Sequence, residues 1–199
     1  MTDPTRETRL RRRGIGLEWA TLGWNVVGVA LLAVFATQAS SVALVGFGLD
    51  SLIEIGASAV VIWELSETGE HRRAVALRLI GIAFVALAVY LVAQSVFALF
   101  ARHHASPSPG GLIWTSVTAV VMFALSAAKT RTGRQLGNPV LVAEGRVTFV
   151  DGLVAVTVLV GLLLSTSLGW WWADPAAGIL IAGYAAREAW LIVAQRGSS

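Results

Sequence analysis

Cysteine is absent from this 199-residue chain. Disulfides, thiolate metal sites and cysteine nucleophiles are therefore excluded. Charge is scarce as well: charged residues make up 14% of the chain against 56% hydrophobic, and the mean hydropathy is +0.72. A soluble domain of this size does not tolerate so apolar a composition, which belongs to the membrane class. The three histidines, His71, His103 and His104, all fall between apolar runs. With no imidazole in a span and no serine beside an evident base, an intramembrane enzyme is disfavoured, and the chain reads as a non-enzyme. The short alternating segments of a membrane β-barrel are also missing.

What remains is a series of apolar runs of spanning length. Six are expected, at roughly 15–36, 41–64, 75–100, 112–129, 140–168 and 175–195. Each has about the 20 residues that a helix needs to cross a bilayer. Residues 79–100 and 152–168 carry no charge at all, and inside lipid such backbone is satisfied only as helix. The first run follows a basic stretch but lacks a convincing cleavage site, so it reads as a retained helix rather than a leader. Asn138-Pro139 and Asp174-Pro175 each read as an N-cap followed by proline at the first helical position. Pro107, Pro109, Gly110 and Gly111 read as a loop. The expected organisation is a basic N-terminus over 1–14, a six-helix membrane domain over 15–195 and a tail over 196–199, with no soluble domain after it.

Basic residues set the orientation. Arg6, Arg9, Arg11, Arg12 and Arg13 precede the first run, and Arg72, Arg73 and Arg78 lie between the second and third. Lys129, Arg131, Arg134 and Arg146 read as the junction between the fourth and fifth, and Arg187 and Arg196 lie near the C-terminus. If six helices alternate, all of these share one side and Arg102 alone faces the other. That asymmetry predicts cytoplasmic termini in a cell (inner) membrane protein and explains the high pI without nucleic acid. Trp170, Trp171 and Trp172 then fall at the outer interface.

Against this background the intramembrane acids stand out. Asp50 and Glu54 are four residues apart in the second run, one turn apart on one helix face, and Asp151 lies in the fifth. A charge near the bilayer centre costs at least ~2.5–3.5 kcal/mol, so such residues are functional by default. Two like charges on adjacent turns make sense when a cation or protons occupy the gap between them. Ser51 and Ser58 add polarity, and Gly46, Gly48 and Gly56 offer room for a close neighbour. Glu144 shares a face with Asp151 and reads equally as a cation-attracting vestibule residue or a solvated helix-end charge. Glu18 and Asn25 share a face of the first run. Asn25 is deep enough to offer its carbonyl oxygen to a central ligand, although interhelical bonding is the commoner use of a lone membrane asparagine. Near His71, Glu67 and Glu70 read as a solvated charge cluster rather than a metal site.

The stretch SVALVGFGLDSLIEIGAS resembles the metal-binding second helix of the cation diffusion facilitator (cation efflux) family, with its acid, three residues and second acid. The stretches AEGRVTFVDGLVAVTVLVGLLL and WWWADPAAGILIAGYAAREAW resemble that family's fifth and sixth helices, and similarity extends from about Leu17 to Trp190. The resemblance implies an all-α, six-transmembrane-helix bundle, a homodimer, and export of Zn²⁺ or a related divalent ion in exchange for protons. It carries Asp50, Glu54 and Asp151 over as metal ligands, with Asn25 as an outside candidate. The family's fourth ligand position falls on Val147, which cannot bind metal, and the second acid is Glu rather than Asp.

Three carboxylates without imidazole or thiolate form a hard, oxygen-rich set, as suited to Mn²⁺, Mg²⁺ or Fe²⁺ as to Zn²⁺. Asn25, Thr148 or water would complete the shell. The expected function is a divalent cation transporter working by proton antiport, in which metal displaces protons because the ligands must be deprotonated. The alternatives are a transport-inactive membrane partner that keeps the fold, and a carrier of protons or monovalent cations.

Overall fold

The computed structural model describes residues 4–39, 42–67, 69–101, 109–168 and 172–194. Arg102, His103, His104, Pro107, Trp170, Trp171 and Arg196 lie outside the described residues. The described chain forms six helices: α1 (Pro4–Ala39), α2 (Val42–Ser66), α3 (Glu70–Ala101), α4 (Pro109–Leu136), α5 (Pro139–Leu168) and α6 (Ala173–Ala194). The shortest, α6, has 22 residues. At 1.5 Å per residue it is about 33 Å long, enough to cross the hydrocarbon core. By length and composition Thr5–Phe35, Glu70–Phe100 and Pro109–Leu136 are the clearest spans among the described residues. In α2 and α5 the apolar runs are interrupted by buried acids, and in α6 by Arg187 and Glu188.

The molecule is polar at its centre and apolar at its surface. Glu18, Asn25, Asp50, Glu54, Lys129, Glu144, Thr148 and Asp151 are all buried, while Phe100, Leu180, Trp190, Val120 and Ile113 lie on the outside. Water would not sustain that inversion, whereas lipid favours it because acyl chains solvate the apolar exterior. Trp172, one of the expected interfacial tryptophans, is likewise exposed.

Helices α2 and α5 pack against each other at the centre. On one flank α1 packs on α2 and α4, and α4 packs on α5. On the other, α3 and α6 pair with each other, α3 packs on both central helices and α6 packs on α5. The faces follow three- and four-residue spacing, as on any helix with one buried stripe. On α1 the buried stripe is Gly14, Glu18, Thr21, Asn25, Gly28 and Leu32, so Glu18 and Asn25 do share a face.

A two-residue turn joins α4 to α5. Gly137 has φ of +63°, a conformation that glycine adopts without strain. Its N–H donates to the Arg134 carbonyl at 3.3 Å, and the Asn138 N–H donates to the Gly133 carbonyl at 2.9 Å. This is the paired bonding of a Schellman helix end. Asn138 then caps the next helix, as expected from sequence: its Oδ1 accepts from Val140 N at 2.9 Å and Leu141 N at 3.0 Å. One residue therefore ends α4 and begins α5. Its Nδ2 also donates to both oxygens of Glu64, at 3.1 and 2.9 Å, tying the end of α2 to the turn.

Several local expectations shift. The basic stretch from Pro4 onward is already helix, continuous with α1, and the Arg11 guanidinium donates to the Leu65 carbonyl. Pro109, Gly110 and Gly111 open α4 rather than forming a loop, since proline suits a first helical turn. Helix α6 begins at Ala173, so Asp174 and Pro175 lie within its first turn instead of capping it. Of the α2 glycines, Gly56 has nothing within 4 Å of a side chain placed there and Gly48 is in ordinary contact with Leu32. Close approaches occur on other helices, and on α5 a Cβ at Gly145 would meet Thr130 Oγ1 at 2.7 Å and Thr130 N at 3.1 Å. Lacking that atom, α5 lies hard against α4.

Candidate functional site

The close packing of α4 on α5 at Gly145 places two adjacent residues, Lys129 and Glu144, face to face. Lys129 Nζ donates to Glu144 Oε1 at 2.6 Å and to Thr148 Oγ1 at 3.0 Å. Glu18 Oε2 of α1 stands 3.0 Å from the same nitrogen, and Glu54 Oε1 of α2 stands 3.9 Å away. The lysine, Glu18 and Glu144 have no solvent exposure, and Glu54 has 1%. Four helices thus converge on one ammonium. Thr148 bridges the cluster by donating to Glu54 Oε1, and Ser58 Oγ donates to Glu144 Oε1 at 3.3 Å. Ser126 Oγ closes the α4–α5 seam with a 2.6 Å bond to the Gly145 carbonyl.

Lys129 is the principal correction to the sequence reading, which assigned it to the basic junction between the fourth and fifth spans. The helix does not stop there. It continues to Leu136, and Lys129 falls on the buried stripe of Thr115, Thr118, Met122, Ser126, Thr132 and Gly133. Arg131 and Arg134 lie off that stripe and are exposed. The three-residue step from Ser126 was the available signal, hidden by the neighbouring arginines. Glu144 is equally no solvated end charge: it is the lysine's nearest counter-ion.

Asp50 and Asp151 meet beside this cluster. Their carboxyl groups face one another within hydrogen-bonding range. Yet Asp50 Oδ2 and both Asp151 oxygens have no donor, and both residues are buried. Two ionised carboxylates cannot donate to each other, so the contact requires a proton or a cation between them. Glu54, one turn further along α2, interacts electrostatically with both aspartates, while its Oε1 is held by Thr148. Its Oε2 has no donor. Among the described residues, no three His, Cys, Asp or Glu side chains are already arranged around one metal position. The reason is visible in Glu54, which is drawn toward Lys129 and Thr148.

The remaining sequence candidates divide. Asn25 is buried on the Glu18 stripe, but its Nδ2 donates to the Thr21 carbonyl in its own helix at 3.1 Å. That nitrogen is committed to α1. Val147 is buried beside Thr148 and adds no ligand atom. His71 is exposed, and the neighbouring Glu67 pairs with Arg72 at 2.5 Å. Two acids that were not singled out in the sequence are also buried. Glu64 holds the α4–α5 turn, and Glu188 of α6 binds Arg146 of α5 at 2.6 Å.

A buried acid pair on the two central helices of a membrane bundle is the setting in which the chain's relatives become informative. A match to the cation efflux transmembrane domain spans residues 19–199. The chain belongs to that family. It is thus a member of a family of membrane cation transporters. It is also similar to Transmembrane protein 163 of Xenopus laevis, 21% identical over 185 residues. That alignment covers 89% of this chain and 65% of the relative, so this cation efflux chain spans about two thirds of the length of the curated relative it matches.

Proposed function

We propose that this protein moves a divalent metal cation across a membrane, and that the ion binds between α2 and α5 at Asp50, Asp151 and Glu54. The observation that carries this is the Asp50–Asp151 contact, in which buried acid oxygens from the two central helices face each other without donors. A doubly charged ion satisfies both groups at once. The all-oxygen donor set suits Mn²⁺ or Fe²⁺ as well as Zn²⁺. Glu54 completes the shell by leaving Thr148 and Lys129, with Asn25 Oδ1 or water as a further ligand. Metal entry displaces the protons held by the empty acids, which couples transport to proton antiport. Rocking of the bundle about the fixed site then exposes it alternately to either side. The basic ends of the helices face the cytoplasm of the cell (inner) membrane, and efflux from a homodimer is the working direction and assembly.

The test uses purified protein in proteoliposomes, with proton release followed on addition of Mn²⁺, Zn²⁺, Fe²⁺, Co²⁺ or Mg²⁺. Asp50→Ala and Asp151→Ala are expected to abolish the release that the parent shows with its preferred ion. Equal release from parent and Asp50→Ala protein overturns the ligand assignment.

A second reading is favoured by two specific observations. Glu54 is engaged by an internal cation, and the fourth family position holds Val147. A transport-inactive member that serves as a membrane partner would keep the fold in this state. It predicts no ion flux in proteoliposomes and stable co-purification with a second protein.

A further inference from the structure

Lys129 has no role in the ligand set above, yet it is the one buried cation among the described residues. Its ammonium stands among three carboxylates from three different helices: Glu18, Glu54 and Glu144. Its bonds are unequal. Glu144 at 2.6 Å and Glu18 at 3.0 Å hold it closely, whereas Glu54 at 3.9 Å lies at the edge of ion-pair range. Several acid oxygens around it, including Glu18 Oε1, Glu54 Oε2 and Glu144 Oε2, have no donor. The acids therefore offer more acceptor sites than one ammonium fills, and the lysine side chain is within ion-pair range of all three. Of the three, Glu54 alone also belongs to the proposed cation site.

We infer that Lys129 is a tethered counter-cation that competes with the transported ion for Glu54. With the site empty, the ammonium stands in for the ion's charge and offsets the mutual repulsion of the buried acids. When a divalent cation reaches Asp50 and Asp151, Glu54 swings to it and the ammonium withdraws fully onto Glu144 and Glu18. Thr148, which touches both Lys129 and Glu54, is the relay: its hydroxyl leaves Glu54 in the same step. Because α1, α4 and α5 all hold the lysine, this exchange also passes site occupancy to the flanking helices. The inference rests on the cation site proposed above and adds to it a residue that sets affinity.

Competition by Lys129 has a signature that a purely structural ion pair lacks. Loss of a structural group loosens a binding site, whereas loss of a competitor tightens it. Repulsion between a neighbouring unit charge and a divalent ion, screened as in a protein interior, exceeds the equivalent of a tenfold change. Binding of Mn²⁺ and of Zn²⁺ is measured by calorimetry on purified full-length parent, Lys129→Gln, Lys129→Gln/Glu144→Gln and Asp50→Asn proteins, with helicity and monodispersity checked for each. The double variant removes the lysine together with its nearest acid, so it keeps the core balanced if the single variant fails to fold. The expected result is at least ~tenfold tighter binding in the lysine variants. Unchanged or weaker binding in a folded lysine variant, with parent binding that depends on Asp50, overturns the competition alone. Absence of binding in the parent and every variant overturns the cation site and the competition together.

Discussion

Lys129 Nζ lies 2.6 Å from Glu144 Oε1, with both side chains sealed from solvent between α4 and α5. Taking an ammonium and a carboxylate out of water costs several kcal/mol per ion, repaid only when the geometry is close and further bonds complete it. Here Thr148, Ser58 and Glu18 complete it.

Breaking this pair from one side should be costly. Loss of one partner from a buried ion pair typically costs ~3–5 kcal/mol, because the other charge is left uncompensated. Glu18 still faces the lysine, so Glu144→Ala is expected near the lower end of that range. Lys129→Ala/Glu144→Ala is expected to cost less than the sum of the single changes. Thermal unfolding in detergent, followed as a double-mutant cycle, measures the difference.

Gly145 sets the spacing that makes the pair possible. A Cβ there would press on the Thr130 backbone nitrogen at 3.1 Å, and backbone cannot rotate away. Gly145→Ala is therefore expected to destabilise by ~1–3 kcal/mol, the usual cost of overpacking. Gly56→Ala is the control. Gly56 is exposed and faces open space, and alanine is the better helix former, so stability should be unchanged or slightly raised. Midpoints of thermal denaturation for the two variants should move in opposite directions or differ by several degrees.

Asn138 carries two loads that separate cleanly. Asn138→Ala removes the α5 cap and the donor to Glu64, with an expected loss of ~1–2 kcal/mol. Asn138→Asp retains a capping oxygen but sets a carboxylate against Glu64. If capping dominates, the aspartate variant stays close to the parent; if the Glu64 contact dominates, it falls with the alanine variant. Comparing the two by thermal unfolding, with Glu64→Gln added to each, tells them apart.

Much of the architecture could be read in the chain. The six helices coincide with the expected spans to within a few residues at most ends, because long uncharged runs have no alternative to helix inside lipid. The main exceptions are the N-terminus of α1 and the C-terminus of α4, where charged residues continue the helix past its apolar portion. The shared faces of Asp50 with Glu54, Glu144 with Asp151 and Glu18 with Asn25 were also legible, since helical spacing alone dictates them.

What the linear order left open was which faces meet. Helical periodicity orients a residue about its own axis but does not name the neighbour, so Lys129 could not be separated from the arginines that follow it. The packing at Gly145 and the two-residue turn at Gly137 and Asn138 decided that, by pressing α4 onto α5 closely enough for the lysine to enter the acid cluster. The chain itself determined a helical membrane protein with acids in its spans, because lipid leaves the backbone no other choice. Only the tertiary fold decided that an internal cation is lodged among those acids, because that depends on distances between helices rather than on spacing along any one of them.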